Sequence, residues 1–126
     1  MKIEIKTILQ GEQRYKTLGD YWIDENGVWQ IRVSQMNNWV FEMAVIIHEL
    51  WEMALCYYRG IDEKYITEFD KNFELERKEG NTDEPGDSVF APYNREHCSA
   101  TGIERLFISE TGKSWQEYEE AANKIL

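Results

Sequence analysis

The sequence predicts an α+β domain in which a small antiparallel sheet of about three strands packs on one long helix and three further helices complete the chain. Three observations carry this. Strand-type alternation and a hairpin turn signal are confined to the first 35 or so residues, and helical periodicity dominates the rest of the chain. The run AVIIHELWEMALCYYRG, residues 44 to 60, is a nearly apolar helix that nonetheless contains His48, Glu49 and Glu52. With 126 residues, 42% of them hydrophobic, the chain can bury a real core and is read as a single domain, 1–126.

In order, KIEIKTI alternates Ile3, Ile5 and Thr7 or Ile8 against Lys2, Glu4 and Lys6, which marks a half-buried strand opening the sheet. Asn26-Gly27 is a hairpin turn signal between aromatic and β-branched runs, so residues 20–24 and 28–34 are expected to pair antiparallel. Asn37 or Asn38 can cap a helix that runs to Arg59, with Gly60 placed for a left-handed C-terminal residue. Asp62 can cap a second helix on which Tyr65, Ile66, Phe69 and Phe73 recur at helical spacing. Residues 78–92 hold both prolines and two glycines without helical period and read as a long ordered loop or lid. A third helix covers roughly 93–109. Ser114 and Glu117 stand in capping-box spacing at the start of a short last one.

Composition removes several function classes. The formal net charge is −10 and no basic cluster exceeds ERK or YRG, which excludes nucleic acid as a direct partner. No apolar run is long enough to span a bilayer, and MKIEIKTILQ lacks a signal peptide's apolar region, so a soluble, cytoplasmic protein with no membrane partner is expected. Cys56 and Cys98 are expected as free thiols. Acidic residues between 74 and 87 read as solvent-facing. The five tryptophans and seven tyrosines belong mainly to core and sheet, their exposed fraction offering a surface to a peptide or protein partner.

The helix at 44–60 poses the chemical question, because charged groups taken out of water cost several kcal/mol each unless paired or bound to metal. His48 and Glu52, four apart, share a face, and Glu49 flanks them by about a quarter turn. A divalent cation would compensate both. The only other histidine, His97, begins the third helix with Thr101 and Glu104 on its face, and that helix can turn toward the first. His48, Glu52 and His97 then form a two-histidine, one-carboxylate set with a position left for water, suited to zinc, iron(II) or manganese, and Glu104 or Asp70 could add a fourth or outer ligand. Plainer readings exist for each residue. His48 and Glu52 also fit a hydrogen-bonded core pair, His97 a cap or surface histidine, and Glu49 and Asp70 a solvated helix face.

HELWE resembles the H-E-x-x-H motif of zincin metallopeptidases: His48 and Glu49 match, and Glu52 stands where the second histidine would be. The strand expected at 28–34, directly before the motif helix, suits a minimal zincin, and the likeness spans roughly residues 20–60. It implies zinc as the ion and Glu49 as general base. The chain is also similar to small bacterial and phage proteins of unassigned function that carry an H-E-L-x-E helix. The segments that carry this second likeness are Glu84 to Asp87, Ala91 to Tyr93, and His97 with Ala100, Thr101, Ile103 and Glu104. The expected function is therefore a zincin-like metal-dependent hydrolase, with a peptide bond as target. The alternative is a non-catalytic metal-binding protein, or an acidic interaction protein of phage or mobile-element origin.

Overall fold

A computed structural model describes all 126 residues. Three strands, β1 (Ile3–Ile8), β2 (Gly19–Ile23) and β3 (Trp29–Ser34), form one sheet; four helices follow, α1 (Trp39–Tyr58), α2 (Glu63–Glu76), α3 (Asn94–Glu110) and α4 (Trp115–Ile125), with short 3₁₀ turns at Gln10–Glu12 and Pro85–Asp87. The α+β class and every predicted element are present.

The sheet is mixed, which corrects the antiparallel expectation. Its order is β1-β3-β2: β2 and β3 form the antiparallel hairpin at Asn26-Gly27, where Gly27 takes φ 76°, but β1 runs parallel to β3, with Ile3 opposite Trp29 and Ile8 opposite Ser34. Alternation identifies a strand without fixing its direction. The connection through residues 9–18 carries the chain past the end of the sheet, so β3 can enter between β1 and β2. A second correction follows from the same topology. α1 lies across β2 and β3, leaving β1 as an open edge on which Ile3 and Ile5 are 38% and 40% exposed rather than half-buried in a core.

The core sits between α1 and the face of β3 that carries Trp29, Ile31 and Val33, the last two fully buried. The other face is polar: Arg14 grips Asp20 through two bonds of 2.6 and 2.8 Å, and Arg14 and Arg32 both lie over Trp22. α1 starts where the Asn38 side chain accepts from the Val40 and Phe41 amides, and ends at Gly60, φ 69°. Its buried stripe runs Phe41, Ala44, Val45, His48, Glu52, Met53 and Cys56, so the polar pair lies on the helix's inward face. α3 packs along α1 with Glu96, His97, Ala100, Glu104 and Ile108 buried. Asp62 and Ser114 cap α2 and α4 as expected. Cys56 is buried and Cys98 exposed, both as free thiols. No helix is long and apolar enough to cross a membrane.

Candidate metal centre

α1 contributes His48 and Glu52 from successive turns, and α3 contributes His97 from its first turn, directed at them across the helix interface. The three side chains meet. His48 Nε2 lies 3.1 Å from Glu52 Oε2, His97 Nδ1 lies 3.0 Å from the same oxygen, and the two nitrogens are 3.2 Å apart. All three residues are buried, at 4–6% exposure. They form a group that could hold a metal ion.

The sides of this triangle match what one cation requires. With metal–ligand bonds of about 2.1 Å, neighbouring ligand atoms stand about 3.0 Å apart around an octahedral ion and about 3.4 Å apart around a tetrahedral one. The far atom of each ligand is separately held. His48 Nδ1 is 2.9 Å from Glu104 Oε2, whose other oxygen accepts from the Tyr118 hydroxyl. His97 Nε2 lies 3.0 Å from Glu84 Oε2 and 3.2 Å from Asp87 Oδ1. The Tyr21 hydroxyl donates to Glu52 Oε1 at 2.9 Å. Carboxylates accept and do not donate, so they draw the imidazole protons to the outer nitrogens. With both imidazoles neutral, the inner nitrogens and Glu52 Oε2 would turn three lone pairs on one another, a repulsion that protons on those nitrogens or a bound cation would relieve.

The charges of the cluster lean the same way. Burial by itself would push His48 down, but hydrogen bonds to Glu104 and Glu52 outweigh it and raise the imidazole well above its ordinary range; His97 is raised by Asp87, Glu52 and Glu84 against the same burial. Burial would raise Glu52, yet the two histidines hold it down to about 2. Protons and metal ions compete for one position here.

Glu49 differs from its neighbours. It lines the same cavity as the three candidate ligands but accepts no hydrogen bond and forms no ion pair, and burial, then the adjacent Glu52, pushes its carboxyl well above the usual range. Its side chain passes against Gly19, where an added Cβ would come within 2.5 Å of the carboxylate. The sequence pattern therefore places His48, Glu49, Glu52 and His97 in one site. Of the two further candidates, Glu104 orients His48, while Asp70 stands apart: both its oxygens take tyrosine hydroxyls, from Tyr93 and, at 3.0 Å, from Tyr15. Burial pushes Asp70 up to about 7 against the lowering effect of those two bonds.

Glu84 and Asp87, expected as solvent-facing residues of an acidic stretch, are more than half exposed yet reach His97. The 3₁₀ turn at Pro85–Asp87 brings them there, and Gly86 rests on the imidazole so closely that a Cβ would fall 2.3 Å from the ring. Their only sequence signal was the EPGD segment. Nothing in the sequence singled out Tyr21 or Tyr118, two aromatic residues among many.

The cavity in front of the cluster measures about 200 Å³ and is bounded by residues 15–21, the inward face of α2, the 81–86 loop and the end of α4. Comparison with protein-family models, with curated proteins and with solved structures finds no match.

Proposed function

We propose that this protein is a zincin-like metal-dependent hydrolase in which His48, Glu52 and His97 hold a divalent ion, zinc first, and Glu49 acts as general base. The observation that carries it is the convergence of three buried ligand atoms, each at 3.0–3.2 Å from the others, with every outer atom pinned by a separate partner. The ion would supply Lewis acidity, polarising a carbonyl and lowering the pKa of a nearby water. The chain's own residues do the rest. Glu104 and Asp87 fix the two imidazoles, Tyr21 fixes the rotation of Glu52, and Glu49 stands unpaired on the cavity wall where it can take a proton from water and pass it on. A carboxyl raised by burial is a better base than an ordinary one.

A second reading, the same ion held without turnover, draws on the depth of the cluster, since all three ligands are more than 90% buried. Elemental analysis of tag-free protein, followed by a peptide and ester hydrolysis screen, separates the two. One equivalent of metal, lost on His97→Ala, with hydrolysis is the expected result. Metal without hydrolysis leaves the structural reading, and protein that takes up no metal ion removes both.

A further inference from the structure

The two edges of the sheet are finished differently. Trp29 donates its amide to the Lys2 carbonyl and Gln35 donates to the Ile8 carbonyl, so the even-numbered residues of β1 bond to β3. The backbone amides and carbonyls of Ile3, Ile5 and Thr7 therefore point outward, and no strand lies beyond them. At the opposite edge the outward groups of β2 are taken up: the Ile23 amide donates to Glu63 at 2.8 Å, and the Gly19 carbonyl accepts from the Thr17 hydroxyl at 2.6 Å. No side chain does the same for Ile3, Ile5 or Thr7.

The side chains of β1 are just as open. Ile3, Ile5 and Thr7 stand beside Trp29, Ile31 and Val33 and share their core face, but α1 lies across β2 and β3, so all three are exposed. The other face carries Lys2, Glu4 and Lys6, with Glu4 and Lys6 joined at 3.1 Å. An uncovered edge with bare apolar groups on one side is a template for a further strand, and its charge order says which strand fits.

We propose that β1 pairs antiparallel with β1 of a second copy of this chain, about a two-fold axis at Ile5, joining two three-stranded sheets into one. Backbone and charges select this register together. A pair centred on Ile5 sets Ile3 opposite Thr7 of the second copy, so every outward residue exchanges both of its backbone bonds. The same register sets Glu4 opposite Lys6 of the second copy and Lys6 opposite its Glu4, an alternating square of charges. Sliding the strands by two residues either way leaves Thr7 opposite Met1 or Ile3 opposite Leu9, outside the strands, and puts Glu4 against Glu4 or Lys6 against Lys6. The contact closes on itself and consumes the open edge instead of propagating it. It also brings Ile3 and Ile5 of both copies together on the core face, removing apolar surface from water. β1 lines no part of the cavity, so pairing leaves the candidate metal centre open.

The test is the association state of the full-length chain. Sedimentation velocity over a concentration series reaching about 100 μM is expected to show a dimer, since interfaces of standard size associate at micromolar concentration or below. Lys6→Glu sets a carboxylate opposite Glu4 at both ends of the pairing and should weaken the dimer about tenfold. The one ion pair of Lys6 is with Glu4 of its own exposed strand, so the circular dichroism of the variant should match the parent. Oxidation reads the register. Cys98, the exposed thiol, is first replaced by serine. Ile5→Cys then places two thiols across the axis, with Cα atoms about 5.5 Å apart, and is expected to form an intermolecular disulfide; Ile3→Cys separates them by about 13 Å and is not. Monomer at every concentration overturns the proposal, as does a dimer indifferent to Lys6→Glu. Failure of Ile5→Cys to cross-link, or equal cross-linking through Ile3→Cys, overturns it too, because the contact then lies elsewhere or in another register.

Discussion

His48 Nε2 and His97 Nδ1 face each other at 3.2 Å in the interior, each also within 3.1 Å of Glu52 Oε2. Protons on both inner nitrogens would bring like charges into contact, offset only by the surrounding carboxylates of Glu52, Glu104, Glu84 and Asp87. Two neutral rings with protons drawn outward leave lone pairs opposed. A divalent cation between them would satisfy both rings and the carboxylate, and the outer partners would decide how firmly it is held.

Glu104 is the first of these partners to test. It receives His48 Nδ1 at 2.9 Å and is itself held by Tyr118, so it sets both the tautomer and the ring orientation of a candidate ligand. Glu104→Gln is expected to weaken zinc binding by about 10- to 100-fold while leaving the fold intact. Competition against a chelating dye measures the affinity, and circular dichroism checks the fold. Unchanged affinity would detach Glu104 from the centre.

Gly86 offers a steric counterpart. Because a Cβ at this position would lie 2.3 Å from the His97 ring, Gly86→Ala must displace either the imidazole or the Pro85–Asp87 turn. Zinc affinity is expected to drop at least about tenfold, the scale of losing a well-placed ligand orientation. Gly11→Ala is the control, since nothing stands within 4 Å of its added methyl. Equal behaviour of the two variants in a zinc titration would show that His97 needs no such fit.

Much of this arrangement was legible in advance, and the limits have physical reasons. Helical phase alone placed His48 and Glu52 on one face, and the same arithmetic placed His97 with Glu104, so two half-sites could be read from spacing. That they meet depended on α3 packing along α1, which local sequence only permits. The outer partners are harder. Tyr21 reaches Glu52 from β2 across 31 positions and Tyr118 reaches Glu104 from α4, contacts that exist only once the helices are docked. β1 shows the same boundary in the fold: its alternation marks a strand, but whether it runs with or against β3 is settled by where the 9–18 connection leads.

Asp70 gives a prediction for stability. Its carboxyl is raised from 3.8 to about 7 by burial, so the folded state holds a proton that the unfolded chain releases near pH 4. Stability linked to this group is present below pH 4 and is lost as pH rises to 7. Asp70→Asn cannot ionise. Urea unfolding between pH 4 and pH 8 should therefore show the variant gaining on the wild type as pH rises to about 7, by a few kcal/mol in total, with a plateau above. The slope is the readout, because altered bonds to Tyr15 and Tyr93 shift both ends equally. Parallel curves would mean that Asp70 is already ionised at pH 4.

Glu49 and Glu52 are three residues apart on α1, and their environments assign them opposite roles. Glu52 is ringed by donors: against burial, His48 and His97 hold its carboxyl down to about 2, and Tyr21 donates to its other oxygen, as an anionic ligand requires. Glu49 has burial and a neighbouring carboxylate but no donor, which suits a group that must accept a proton and give it up. Glu49→Gln should keep the metal stoichiometry and abolish turnover, a loss of about 100-fold or more for a general base. Glu52→Gln should instead weaken metal binding, because an anionic ligand disappears while side-chain volume hardly changes. Swapping Glu52 for histidine completes the H-E-x-x-H pattern and is expected to bind zinc at least as tightly as the parent. Metal content by plasma emission and hydrolysis in the peptide and ester screen read all three variants. If Glu49→Gln loses metal together with activity, Glu49 is a ligand and the division of labour on α1 is wrong; if Glu52→His gains neither zinc nor activity, the likeness to zincins stops at the spacing of five residues.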